Sequence, residues 1–195
     1  MSERTADGPT GFVPSHGVPY GAPAGFVSHT YASTIDIPAS HAAVWAWLND
    51  PATFVEGQIW PYRVEFLDTR DDRSGHVATG FEKGVLNTHH GPLLNCAGIL
   101  TDVQHGSTRE LRYFYGSFIM SHRLVRPLVL RFRTPEPTGA ADANVTPLTV
   151  EVECLVRHNF VGIWNTAQGV FWRRFFKWTT SAAKRHEPKA APAEA

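Results

Sequence analysis

Apolar and polar residues alternate through VSHTYASTIDI, which places Val27, His29, Tyr31, Ser33, Ile35 and Ile37 on one face. That is the period of a half-buried strand. Pro38 stops it, and Ser40 is placed to cap a short helix through Leu48 whose Val44, Trp45 and Leu48 share one side. Pro51 disfavours helical geometry at Asp50 and ends that helix. A second short helix is expected over Ala52 to Val55. Strand patterns then recur at hairpin spacing: Tyr62 to Thr69, His76 to Lys83, Leu94 to Val103, Arg109 to Ile119, Arg123 to Thr134 and Leu148 to His158. Their separators DDRSG, QHGS and PEPTGAADANVTP have turn or loop composition, so an antiparallel meander is predicted. The last separator is the longest polar insert and reads as an exposed hairpin tip with no function of its own.

From Trp164 to His186 the period changes. Trp164, Gln168, Phe171, Phe175, Trp178 and Ala182 step by three and four, with Arg174, Lys177, Ser181, Lys184 and Arg185 elsewhere on the wheel. This predicts an amphipathic helix of about six turns, and burying its four large aromatics contributes about 2 kcal/mol each. Trp172 and Phe176 widen its apolar face, which also offers a homodimer contact.

The ends carry no period. Residues 1–25 have Gly and Pro at short intervals and read as a flexible arm, and residues 188–195 read as a flexible tail. One domain, residues 26–187, is left between them, which suits a chain of 195 residues.

Composition narrows the partners. Hydrophobic residues make up 43% and include 12 Phe and 6 Trp, too apolar for a disordered chain and enough to line a cavity. Eighteen basic residues balance eighteen acidic ones, so no net field draws the molecule to nucleic acid or an anionic membrane. A small hydrophobic molecule fits better. The start MSERTADGPT has no apolar stretch behind a basic one, and no run approaches a membrane span, so the reading is a cytoplasmic protein without integral membrane association. Cys96 and Cys154 lie in strand patterns and read as buried thiols, or as a disulfide if their strands are neighbours. The signatures GxGxxG, GxxxxGK, HExxH, CxxC and GxSxG are absent, so no cofactor or metal is expected. Any catalysis would be acid/base and positional.

The passage STIDIPASHAAVWAWLNDPATFVEG resembles the opening of the START-like superfamily, often labelled SRPBCC: a strand, a Pro, an alanine-rich turn, then Val-Trp and Asn-Asp-Pro. The order of elements over residues 27–186 is similar too. The resemblance implies an α+β helix-grip fold. A curved seven-stranded antiparallel sheet would wrap round the long C-terminal helix, with two short helices after strand 1 and ligands bound between sheet and helix. The superfamily includes polyketide cyclases and dehydratases, lipid-transfer domains and hormone carriers. Fold membership alone does not choose among them.

Alternation then ranks residues for such a cavity. Leu111, Tyr113, Tyr115 and Ser117 are expected inward, giving two phenols in a row. Val152, Cys154, Val156 and His158 are expected inward on the last strand, with His158 near one mouth. Leu128, Leu130 and Phe132 share a face with Arg126, which either holds a ligand oxygen or is a surface residue if Pro127 breaks the alternation. Tyr31, Trp164, Gln168, Phe171 and Phe175 complete the expected lining. In VLNTHHGPLL, read as a link between strands, His89 and His90 point to opposite faces, so at most one looks inward and they do not share a metal. The candidate proton-transfer groups are Tyr113, Arg126 and His90. Glu82 and Lys83 sit on a strand whose inner face alternation does not assign. Two functions stand: a cyclase- or dehydratase-like enzyme, and a non-catalytic carrier or sensor of a lipid, quinone or similar molecule.

Overall fold

The computed structural model describes residues 22–56, 63–71, 73–92, 94–118, 121–135 and 144–186. The expected tail and most of the expected arm lie outside them, as do residues 136–143 of the long insert. The described residues open with strand β1 (Phe26–Ile37), helix α1 (His41–Leu48) and helix α2 (Pro51–Glu56). Ser40 Oγ accepts the Ala43 N–H at 3.2 Å and starts α1 as expected. Asp50 Oδ1 accepts the Ala52 N–H at 2.9 Å, and Pro51 takes the first helical position of α2, where its missing N–H is no loss. Strands β2 (Arg63–Leu67), β3 (Thr69–Arg70), β4 (Val77–Ala78), β5 (Leu86–Gly91), β6 (Leu94–Gln104), β7 (Thr108–Phe118), β8 (Val125–Arg133) and β9 (Thr146–Arg157) follow, then α3 (Val161–Ala183) and a 3-10 turn at Lys184–His186.

Seven strands form one antiparallel sheet in the order β1-β9-β8-β7-β6-β5-β2. The α+β helix-grip architecture with two short helices after the first strand is as expected, but one strand differs. The stretch His76 to Lys83 contributes only the two residues of β4, paired with β3 in a separate ribbon. Gly80 and Gly84 adopt φ of +59° and +99°, which breaks an extended run, and Glu82 folds back to accept the Thr79 N–H. The seventh strand is instead β5, the histidine-bearing segment read as a link, which pairs with both β2 and β6. Cys96 on β6 and Cys154 on β9 are buried free thiols on strands separated by two others, so they do not bridge.

The helix α3 packs on β1, β9 and α1. Its buried residues are Trp164, Gln168, Trp172, Phe176, Thr179, Ala182 and Ala183, so Trp164, Gln168 and Ala182 are inward as expected while an i+4 step from Gln168 replaces the three-four step to Phe171. Phe171 is thereby displaced to the surface, 52% exposed, and Trp172 and Phe176 take the central places. Trp47 of α1 is fully buried among Phe54, Phe175 and Trp178 at ring separations of 5.3, 5.8 and 5.0 Å. A second, smaller cluster of Ala78, Val85, Cys96, Leu100, Leu111 and Tyr113 lies over β5, β6 and β7. No described helix is long and apolar enough to cross a membrane.

Because Trp47 joins α1, α2 and α3, Trp47→Ala should lower unfolding stability by about 3–5 kcal/mol. A urea midpoint within error of the parent would show that this contact does not organise the helix layer.

Candidate functional site

The concave faces of β5, β6 and β7 hold the polar groups that the helix does not cover with its own apolar row. Consecutive residues on β5 point to opposite sides. His89 lies opposite Cys96 and Val64 on the concave side. His90 is the outward one of the pair, the reverse of the expectation that singled it out for proton transfer. Its Nε2 lies 3.1 Å from Thr88 Oγ1 and 3.6 Å from Glu65 Oε2 near solvent.

The His89 ring meets the Tyr113 ring edge-on at 6.0 Å. Its Nε2 is buried and has no hydrogen-bond partner among the described residues. Burial, and secondarily the charge of His90, lowers the His89 pKa to about 4, so the imidazole is neutral at pH 7. Tyr113 is 4% exposed. Burial first, then the neighbouring Cys96 thiol, push the Tyr113 phenol well up, with Arg109 pulling the other way. The phenol therefore keeps its proton and remains able to donate. Burial also raises Cys96 far above its ordinary value, which removes it as a thiolate nucleophile.

Arg109 and Leu111 share the concave face with Tyr113, two residues apart along β7. Arg109 is only 4% exposed. Its guanidinium stands 4.0, 5.1 and 5.5 Å from the ring centres of Phe81, Phe132 and Phe54, and Nη1 donates to the Leu48 carbonyl at the end of α1. Among the described residues it has no carboxylate partner. Burial lowers its pKa to about 9, so it is a cation at neutral pH. Arg109 was not among the expected site residues, although counting back by twos from Tyr113 reaches it. On β1, His29 lies opposite Cys154, with Nδ1 buried and without a partner among the described residues. It too was on the face read from the sequence and was passed over.

The remaining expected residues fall into two groups. Tyr31, Leu130, Cys154, Trp164, Gln168 and Phe175 lie on the concave side or in the helix contact. Tyr31 and Phe175 are partly buried against the main core, and Leu130 touches both clusters. Gln168 Oε1 accepts the Trp172 indole N–H at 2.8 Å, so this amide is satisfied internally. Cys154 Sγ is 3.7 Å from the His29 carbonyl, and burial raises its pKa to about 12.

The second group does not face inward. Tyr115 is 65% exposed because Phe114 is an extra residue opposite the Ala97–Gly98 step, and this bulge reverses the alternation after Tyr113. Arg126 pairs with Leu155 on the convex side, because a second bulge at Leu128 shifts register between Pro127 and Val129. The alternation thus breaks at Leu128, the residue after Pro127, and Arg126 lies half-buried on the convex face. His158 is exposed at the start of a short 3-10 turn, its N–H bound to the Gly25 carbonyl at 3.0 Å. Phe171 lies with Ile163, Val170 and Arg174 on an open groove along α3. Glu82 is exposed and bonded to His76 Nε2 at 3.0 Å, and Lys83 is exposed beside it. Among the described residues no three His, Cys, Asp or Glu side chains come together in a way that would hold a metal ion.

The fold is START-like. No protein-family model and no curated protein matches the sequence, but solved structures match over most of the chain. One is an aromatase/cyclase, Zhui, from Streptomyces sp. R1128, with a TM-score of 0.57, 15% identity and coverage of 86% of this chain and 100% of that one. Another is norcoclaurine synthase from Thalictrum flavum in complex with dopamine and hydroxybenzaldehyde, at TM-score 0.57, 13% identity, and 85% and 91% coverage. A START superfamily protein from Mycobacterium smegmatis matches at TM-score 0.56, 13% identity, and 80% and 98% coverage. Identities this low establish the helix-grip fold and leave the chemistry to the site itself.

The depressed His89 pKa has a measurable consequence. An unfolded imidazole titrates near 6.5, so between pH 6.5 and about 4 the unfolded chain binds a proton that the folded one refuses. Stability should fall as pH is lowered through that window, by about 2–3 kcal/mol for a shift of this size. Urea melts at pH 7 and pH 4 should show a smaller acid loss for His89→Leu than for the parent; equal losses would refute the buried neutral imidazole.

Proposed function

We propose that the protein binds a small hydrophobic molecule, aromatic or polyketide-like, between the concave sheet and α3. The observation that carries this reading is the His89–Tyr113 pair: a buried imidazole nitrogen without a partner among the described residues, set beside a protonated phenol in an apolar surround. A buried polar atom left unsatisfied costs about 1–3 kcal/mol, and a ligand group that bonds to it recovers that cost. A carbonyl or phenol on an otherwise apolar molecule has the right chemistry, with the phenol of Tyr113 as donor and His89 as acceptor or donor according to tautomer. Two of the structural neighbours support the size class: one is an aromatase/cyclase, and the other was solved with dopamine and hydroxybenzaldehyde.

Cyclisation or dehydration follows from this geometry only in a limited sense. An imidazole of pKa about 4 is a weak base, so its contribution would be to stabilise charge on a ligand oxygen and move a proton once that charge develops. Binding without turnover, as in a carrier or sensor, uses the same contacts.

Native mass spectrometry of the purified protein should show a retained small molecule, and the neutral aromatic probe N-phenyl-1-naphthylamine should bind with enhanced fluorescence. A hydroxyl-bearing analogue of that probe should lose about tenfold in affinity with Tyr113→Phe or His89→Ala, the equivalent of one buried hydrogen bond, while His90→Ala binds like the parent. If His90→Ala weakens binding as much as His89→Ala does, the concave site is misassigned. Turnover of a poly-ketone by the parent, lost in Tyr113→Phe, would place the protein among the enzymes rather than the carriers.

A further inference from the structure

Strands β7 and β8 are paired from Thr108 and Arg133 as far as Arg112 and Val129, and there the ladder stops. Both strands bulge where they part, at Phe114 on β7 and at Leu128 on β8. The cleft between them has a volume of about 530 Å³. Tyr113 and Pro127 on its wall belong to the concave side, whereas Arg126 and Leu155 belong to the convex side. The cleft is thus bordered by residues of both faces at the gap between β7 and β8, and Tyr113 is the residue it shares with the concave site.

The convex lip is cationic. Most guanidinium groups on that face are neutralised: Arg112 is held by Glu110 at 2.8 Å, and Arg131 is held by Glu110 at 2.5 Å, by Glu151 at 2.9 Å and by Glu153. Arg126 is different. Its Nε donates to the His122 carbonyl at 3.1 Å, its guanidinium lies 4.9 Å from the Phe26 ring centre, and it meets no carboxylate among the described residues. Arg157 leans on the same ring at 5.6 Å and is held by the Ala24 carbonyl, again without an acid among the described residues. Two cations sharing one aromatic ring repel each other, and an anion placed beside them relieves that repulsion. Ser117, Asn95 and His122 add neutral or titratable polar groups to the cleft.

We infer that the β7–β8 cleft is a second binding site, for an amphipathic molecule whose carboxylate or phosphate group sits at Arg126. Its apolar part passes Phe114 and Leu128 toward Tyr113. The destination of that apolar part rests on the concave site being a ligand site, whereas the anion preference belongs to the cleft alone.

The test is displacement of N-phenyl-1-naphthylamine by decanoate, decyl phosphate and decanol, with melting temperatures as the folding control. For the parent, at least one anion should compete about tenfold better than decanol, as expected for a charge-assisted hydrogen bond. Whichever anion does so identifies the group. Arg126→Gln should remove that preference and leave decanol unchanged. Ser117→Glu, which sets an anion in the cleft while keeping Arg126, should also remove it and serves if Arg126→Gln does not fold. Equal competition by anions and decanol in the parent, or a preference that survives either variant, overturns the cleft assignment while decanol binding keeps the concave site. Anion binding that depends on Arg126 with no binding of decanol does the reverse, and no binding of any of the three defeats both.

Discussion

The buried guanidinium of Arg109 is the interaction on which the layered arrangement depends. Removing an unpaired cation from water costs several kcal/mol, and no carboxylate among the described residues offsets it. Three phenyl faces and the last carbonyl of α1 take that part instead. The carbonyl is one of those an α-helix leaves unsatisfied at its C-terminus, where the helix dipole is negative and a cation is favoured. Phe54 comes from α2, Phe81 from the turn after β4 and Phe132 from β8, so one side chain ties together pieces distant in sequence. It fixes the height of α1 over the sheet, and through Trp47 it fixes α3 as well.

The two bulges have a complementary effect on the sheet. Gly116 has φ of +122°, and a Cβ there would collide with the backbone of Asn95 and Cys96 on β6. Gly98 is equally crowded, since a Cβ would fall 2.6 Å from the Arg112 carbonyl oxygen. These glycines let β6 and β7 close together around the bulge at Phe114 while β7 turns away from β8. The sheet is thereby divided. Strands β1 and β9 carry the helix together with His29, and β7 and β5 carry Arg109, Tyr113 and His89. These last three occupy the half where side chains are least needed to pack against α3.

How far the sequence reveals this depends on whether a feature is periodic. Alternation in β1 and β9 and the long helical period of α3 are repeated many times, so these strands and the terminal helix were legible, and the helix-grip architecture followed from the resemblance. A bulge is one inserted residue and leaves no periodic trace, yet it inverts every side chain beyond it. That is why Tyr115 and Arg126 were read as inward. The glycines of residues 75–84 concealed a turn within a strand pattern, and the adjacent Gly-Pro made the strand holding His89 look like a link. Arg109 and His29 were legible by parity. They were passed over because an interior charge or imidazole looks improbable until its partners are seen, and those partners are aromatic faces and a helix end that no local pattern joins.

The electrostatics of the concave face also limit what can be done there. Arg109 is a cation already surrounded by rings, Cys96 holds its proton, and His89 gives up its own unless something negative arrives. An imidazole with so low a proton affinity will not draw a proton from a neutral carbon acid. It becomes a useful proton carrier only when charge on a ligand oxygen raises its pKa toward neutrality. A plain hydrocarbon would leave Nε2 without a partner among the described residues and gain only from apolar contact. A molecule with a carbonyl or phenol oxygen would gain the hydrogen bond as well, so on the proposed reading this buried nitrogen would set the preference among hydrophobic ligands.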